Sequence, residues 1–191
     1  YVDEIIARLT LDEKIGQMFI FSYNGTSLTS QAKNAIAQYK LGNFIHMGYN
    51  VPDGETAGAF TTELQKEIIA ITKIPAFICI DQEGGRVARL VNGGTRFLGN
   101  MALAATTNPQ NAYLVGKATG EELKNYGINF DLAPVLDVNN NPNNPVINNR
   151  SYSDNAITVS LFGRQMIAGL KESNVMGCAK HFPGHGNTST D

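Results

Sequence analysis

Pro75-Ala76-Phe77-Ile78-Cys79-Ile80-Asp81-Gln82-Glu83-Gly84-Gly85-Arg86-Val87-Ala88-Arg89 changes character at a single bond. Up to Ile80 every residue is apolar, with no polar position at the period of two that a half-exposed strand would show. A short, wholly apolar run reads as a strand covered on both faces, as parallel strands between helices are. From Asp81 onward come two acids, two arginines and a glycine pair. Such a loop can present fixed donors and acceptors at the end of the strand.

The same alternation recurs outward along the chain. Gln17–Phe21 and Asn43–Met47 read as strands, with a helix over Gln31–Tyr39 between them, where Ala32, Ile36 and Tyr39 fall at helical spacing. Glu55–Thr72 is predicted helical, with Phe60, Leu64, Ile68 and Ile71 on one stripe. Beyond the quoted stretch, a helix over Asn111–Tyr126 is capped by Gly127. The strand-like run Asn129–Asp137 follows, its ladder limited by Pro134. The amphipathic helix Ala156–Glu172 and a last strand at Val175–Ala179 complete the pattern. Strands separated by helices imply a parallel sheet or barrel of the α/β class. Polar residues gather just after the strands, at Asn50 and Asp53, Asp81–Arg89, Asp137–Arg150 and Lys180–Asp191. In a (β/α)₈ TIM-type barrel that is the C-terminal rim, where chemistry sits. A complete barrel takes about 250 residues, so the expectation is the first five βα units of one. A doubly wound five-strand sheet is the alternative.

Composition excludes several classes. The 191 residues are 42% hydrophobic and 17% charged, enough for a packed core. Fifteen basic and seventeen acidic residues in mixed order, net charge -2, leave no electrostatic footprint for nucleic acid or an anionic membrane. No apolar run approaches the roughly 20 residues of a transmembrane segment. Cys79 and Cys178 sit in apolar runs and read as buried free thiols. The first residues, Tyr1-Val2-Asp3-Glu4, lack an initiator Met and a leader's basic and apolar regions. Removal of a leader or trimming would each explain this, and the expectation leans to an exported or cell-surface protein over a cytoplasmic one.

Two further segments could carry chemistry. Lys180-His181-Phe182-Pro183-Gly184-His185-Gly186 leaves a buried strand, and Phe182-Pro183 is a candidate cis bond that would aim the preceding side chains. The spacing of His181 and His185 resembles a metal-binding i, i+4 pair. Pro183 and Gly184 disfavour the helix it needs, and the glutamate of zincins is replaced by Phe182, so no metal is expected. Arg150, closing the Asn- and Pro-rich loop Asn139–Asn149, is either a ligand fork or a scaffold ion pair. The Asp81–Arg89 loop has its own bland reading, a turn whose Asp and Arg pair with each other. A nucleotide loop is not supported, because neither Gly-x-Gly-x-x-Gly nor a phosphate-loop lysine occurs. His46, among apolar neighbours, reads as structural.

Four motifs together carry a family resemblance. Leu9-Thr10-Leu11-Asp12-Glu13-Lys14-Ile15-Gly16-Gln17-Met18, Ile80–Leu90, Asn129–Val138 and Lys180–Gly186 occur in order over nearly the whole chain. They resemble glycoside hydrolase family 3, and within it the bacterial β-N-acetylglucosaminidases (β-hexosaminidases). The mark of that subgroup is the Lys-His-Phe-Pro-Gly-His-Gly stretch running on toward an Asp-x-His pair. Residues 1–191 then correspond to an incomplete N-terminal portion of a single catalytic domain.

The resemblance implies roles residue by residue. Asp81 and Arg89 match positions that bind hydroxyls of the terminal sugar, and Arg150, Lys180 and His181 match the remaining sugar-binding positions. Asp191 matches the aspartate that orients an acid/base histidine two residues further on, beyond the last residue here. The nucleophilic aspartate is expected further downstream still. Asn187 departs from the family's usual Asp, a minor change beside the acid/base loop. The implied activity is retaining exo-hydrolysis of terminal GlcNAc from β-linked glycans or peptidoglycan fragments, with a carbohydrate substrate and no cofactor. A family 3 β-glucosidase and a non-catalytic sugar-binding protein are the alternatives. With no Trp in the chain, stacking on a sugar would fall to Phe or Tyr. The 191 residues alone are expected to be inactive, and to associate through an unpaired strand edge.

Overall fold

The computed structural model describes residues 2–191. Two short helices open it, α1 (Val2–Arg8) and α2 (Leu11–Gln17). Strand β1 (Ile20–Phe21), helix α3 (Ser30–Tyr39) and strand β2 (Asn43–His46) follow. Helix α4 (Gly54–Thr72) leads to β3 (Ile78–Ile80), and a small hairpin is formed by β4 (Gln82–Gly84) and β5 (Val87–Ala88). Helices α5 (Asn100–Ala105) and α6 (Gln110–Asn125) precede β6 (Phe130–Asp131), then α7 (Ala156–Glu172) and β7 (Met176–Gly177).

The helix starts are written in local chemistry. Thr10 and Glu13 form a capping box on α2, each side chain accepting the other's backbone N–H. Asp53 and Asn155 cap α4 and α7 by accepting from Thr56 N and Thr158 N. Past the end of α6, Gly127 takes φ +74°, the left-handed turn anticipated for it. Helices α6 and α7 touch through glycine. A Cβ on Gly169 would lie 2.2 Å from Tyr113 O, and one on Gly116 2.4 Å from Met166 O.

Five strands pair in parallel in the order β1-β2-β3-β6-β7. Each new strand lies beside its predecessor, as in a TIM-type barrel; the doubly wound alternative needs a reversal of order, and there is none among these strands. Strand β3 is buried at all three positions, as its uniform apolarity demands. The core joins it to Phe44, Phe60, Leu64, Ile68 and Leu123.

Three expected strands are shorter than the apolar runs that announced them. The capped helix α2 takes Gln17, leaving Met18 82% exposed ahead of β1. The run Asn129–Asp137 has two ladder residues before the cis bond Ala133–Pro134, after which Val135 bridges Lys180. Proline has no N–H for the ladder, so Pro134 pairs only through its carbonyl, which accepts from Lys180 N at 3.1 Å. The last run, Val175–Ala179, contributes two ladder residues, Met176–Gly177.

Candidate active site at the C-terminal rim

Asp81 leaves β3 directly and begins the hairpin. Buried Gln82 fastens it: Oε1 accepts from Arg89 N (2.9 Å) and Leu90 N (3.1 Å), while Nε2 donates to Leu90 O. Side chains alternate along an extended segment, so Asp81 and Glu83 face the side opposite Gln82. Gly84 and Gly85 make the turn at φ +82° and +58°, and a Cβ on Gly85 would meet Gly99 Cα at 2.8 Å. The segment read from the sequence as a loop is thus a clamped hairpin.

Lys180 comes from the end of the β7 segment and Arg150 from a 3₁₀ turn, Asn148–Arg150. Lys180 Nζ donates to Asp81 Oδ1 at 2.8 Å and reaches Glu83 Oε1 at 2.6 Å. Arg150 grips Glu83 with two prongs, Nε to Oε2 at 2.9 Å and Nη2 to Oε1 at 2.8 Å. Arg89 Nη2 lies 3.6 Å from Asp81 Oδ2. At the other end, Arg150 Nη2 is 3.5 Å from His181 Nε2, and His181 Nδ1 is 2.6 Å from Asp137 Oδ2. Asp137 Oδ1 also accepts from the backbone N–H of His185 at 2.7 Å. Both Lys180–His181 and Phe182–Pro183 are cis, the second as anticipated.

The result is one chain of contacts, Arg89–Asp81–Lys180–Glu83–Arg150–His181–Asp137. Three carboxylates balance three cations, so a multiply charged anion meets no net positive field. Two of the three N–H groups of Lys180 are committed, leaving one; the Arg89 guanidinium is more exposed than the rest. Fixed, charge-assisted donors and acceptors without net charge suit a neutral, hydroxyl-rich ligand. Beneath the cluster lies Asp131, fully buried, its Oδ1 accepting from Gln82 N at 2.9 Å and its Oδ2 without a partner among the described residues. Burial pushes its carboxyl well above the usual carboxylate range.

Asp81, Arg89, Arg150, Lys180 and His181, singled out from the sequence, therefore stand together. Both bland readings hold as geometry as well: Asp81 faces Arg89, and Arg150 is in an ion pair. Asp191 stands apart, 89% exposed in its side chain, with Oδ1 3.7 Å from His185 Nε2. Sequence reasoning missed Glu83 and Asp137 as individual residues. Glu83 had a usable signal, its position two residues from Asp81 on an extended segment. Asp137 ends a strand-like run facing the rim, but nothing local distinguishes it from the other loop acids.

His181 and His185 meet edge to face at 5.7 Å between centroids, with their Nδ1 atoms turned to Asp137 and Thr188 respectively. Among the described residues, no three His, Cys, Asp or Glu side chains group as metal ligands would. No helix among them is long and apolar enough to cross a membrane. His46 is buried between Phe44 and Phe60, with Nε2 2.9 Å from Thr61 Oγ1. Cys79 is a buried free thiol and Cys178 a partly buried one.

Comparison with known proteins bears on the same stretch. Beta-hexosaminidase A of Pseudoalteromonas piscicida is 41% identical over 171 residues, covering 87% of this chain and 29% of that protein. A beta-hexosaminidase of Thiobacillus denitrificans is 33% identical over 173 residues, covering 87% of this chain and 47% of its own length. The solved structure of a glycoside hydrolase family 3 beta-N-acetylglucosaminidase from Paenibacillus sp. str. FPU-7 superposes with a TM-score of 0.92 at 40% identity. That match covers 96% of this chain and 35% of the other. The chain thus spans less than half the length of each of these relatives. The family model described as the glycosyl hydrolase family 3 N terminal domain matches residues 10–191. With that match over nearly its whole length, the chain belongs to glycosyl hydrolase family 3.

Proposed function

We propose that the protein carrying this chain is a retaining exo-β-N-acetylglucosaminidase, removing terminal GlcNAc from β-linked glycans or peptidoglycan fragments. The observation that carries the reading is the charge-balanced cluster at the rim, in a chain whose relatives bear the names beta-hexosaminidase and beta-N-acetylglucosaminidase. In this reading Asp81 and Arg89 hold hydroxyls of the terminal sugar, and Arg150, Lys180 and His181 complete the pocket. Asp191 orients and charges a histidine acid/base outside residues 1–191. A carboxylate paired with an imidazole fixes its tautomer and supports its charged form, which is what general acid catalysis needs. The nucleophile that forms the glycosyl-enzyme intermediate also lies outside them.

Residues 1–191 are then the N-terminal part of one catalytic barrel. They bind sugar weakly and do not turn over. The test is nitrophenol release from β-GlcNAc and β-glucoside conjugates by the full-length protein, with residues 1–191 as control. Activity on the GlcNAc conjugate in the full-length protein alone supports the reading. A preference for the glucoside moves the protein to the β-glucosidase branch, and silence on both favours a sugar-binding protein without chemistry.

A further inference from the structure

Glu83 lies at the centre of the cluster yet is 3% exposed, and its oxygens are committed: Oε1 to Lys180 and Arg150, Oε2 to Arg150. It therefore has little left to offer a ligand. What it does have is the same oxygen in contact with two cations from distant parts of the chain. The Lys180 and Arg150 nitrogens both touch Oε1, which holds two positive charges a few ångströms apart. Without the carboxylate they repel, and each long side chain regains its rotamers. Among the described residues no other carboxylate spans the gap, since Asp81 reaches Lys180 but is not among the partners of Arg150.

We propose that Glu83 is a positioning residue, a buried clamp that sets the distance and direction of the Lys180 and Arg150 donors toward one ligand. The proposal rests on the reading of these two cations as sugar-binding groups. Its action is on ground-state and transition-state binding alike, because the Glu83 oxygens are committed to Lys180 and Arg150 and the residue works through those donors. Removing its charge should therefore raise KM more than it lowers kcat.

The experiment uses the full-length protein and Glu83→Gln, which keeps the shape and removes the charge. The expected result is a KM for the GlcNAc conjugate raised about ten- to a hundredfold, with kcat changed less than fivefold, in keeping with the loss of charge-assisted bonds. A variant within twofold of wild type in both constants overturns the proposal. So does a variant that loses kcat at unchanged KM, since that would put Glu83 at the reacting atoms. Should Glu83→Gln not fold, Glu83→Asp keeps the charge but withdraws it by one methylene; a KM within twofold of wild type there overturns the proposal equally.

A second readout needs no sugar. In wild type the Arg150 Nε proton should exchange slowly with solvent in NMR spectra, and in Glu83→Gln quickly. Slow exchange in both proteins overturns the clamp whatever the activity. Fast exchange only in the variant, in a protein inactive on GlcNAc, supports the clamp and sinks the glycosidase reading instead.

Discussion

The carboxylate of Asp137 meets the Nδ1 edge of the His181 ring, Oδ2 2.6 Å from Nδ1, while Oδ1 accepts the backbone N–H of His185 at 2.7 Å and of His181 at 3.3 Å. One buried acid thus orients an imidazole and ties down the loop that follows it. The proton belongs on Nδ1, because Nε2 faces an Arg150 N–H and serves it as acceptor.

Asp137→Asn should break this arrangement. An amide N–H placed opposite Nδ1 favours the other tautomer, whose Nε2–H then opposes Arg150. The expectation is an exchange of the two imidazole nitrogen chemical shifts of His181, read by ¹⁵N NMR. In the full-length protein kcat/KM should fall about ten- to a hundredfold, the scale of losing a hydrogen bond to a charged group. Unchanged shifts would remove Asp137 from this role.

Asp131 makes stability fall as pH rises. Burial raises its folded-state pKa well above the unfolded value, so between the two the native state holds a proton that the unfolded chain has lost. Its contribution is complete below about pH 4, the ordinary carboxylate range, and is lost as pH climbs toward the folded value. Asp131→Asn can still accept from Gln82 N and does not titrate. Its urea midpoint should match or exceed wild type at pH 7, with the advantage vanishing near pH 4. A variant much weaker at pH 7 would show that the ionised form is the one the fold wants.

His46 acts in the opposite direction. Burial lowers it from 6.5 to about 4, so the native state binds fewer protons than the unfolded chain between those values. Stability is full above pH 6.5 and is lost as pH falls toward 4, by up to about 3 kcal/mol. His46→Gln, which can still reach Thr61, should flatten that acid limb in urea melts taken across the range. Parallel limbs in the two proteins would mean that His46 is not what titrates.

The outer edges of β1 and β7 have no strand beside them among the described residues. Near these edges Phe19, Ile20 and Met176 are 56%, 44% and 48% exposed. Unpaired edges flanked by apolar side chains recruit other chains. Residues 1–191 should therefore sediment as a concentration-dependent mixture; a single monomer peak over a hundredfold range in concentration would contradict this.

Much of the fold was legible because it is local. The stripe from Phe60 to Ile71 and the unbroken apolarity of Ile78–Ile80 each declare an element within a few residues, whereas the helix started by Thr10 and Glu13 was not anticipated. Their alternation implies parallel pairing. The motifs at Asp81, Arg89, Arg150, Lys180 and His181 were visible as dense polar clusters after strand-like runs. What only the tertiary structure decided is which charges neutralise which. Glu83 meets Arg150 across 67 residues and Asp137 meets His181 across 44. Those pairs exist because neighbouring strands end at one rim, and the same rim leaves Asp131 fully buried with an oxygen unpartnered among the described residues. Local sequence sets torsions and periodicity, whereas ion pairing and desolvation depend on distances through space, which follow only once the strands have found their neighbours.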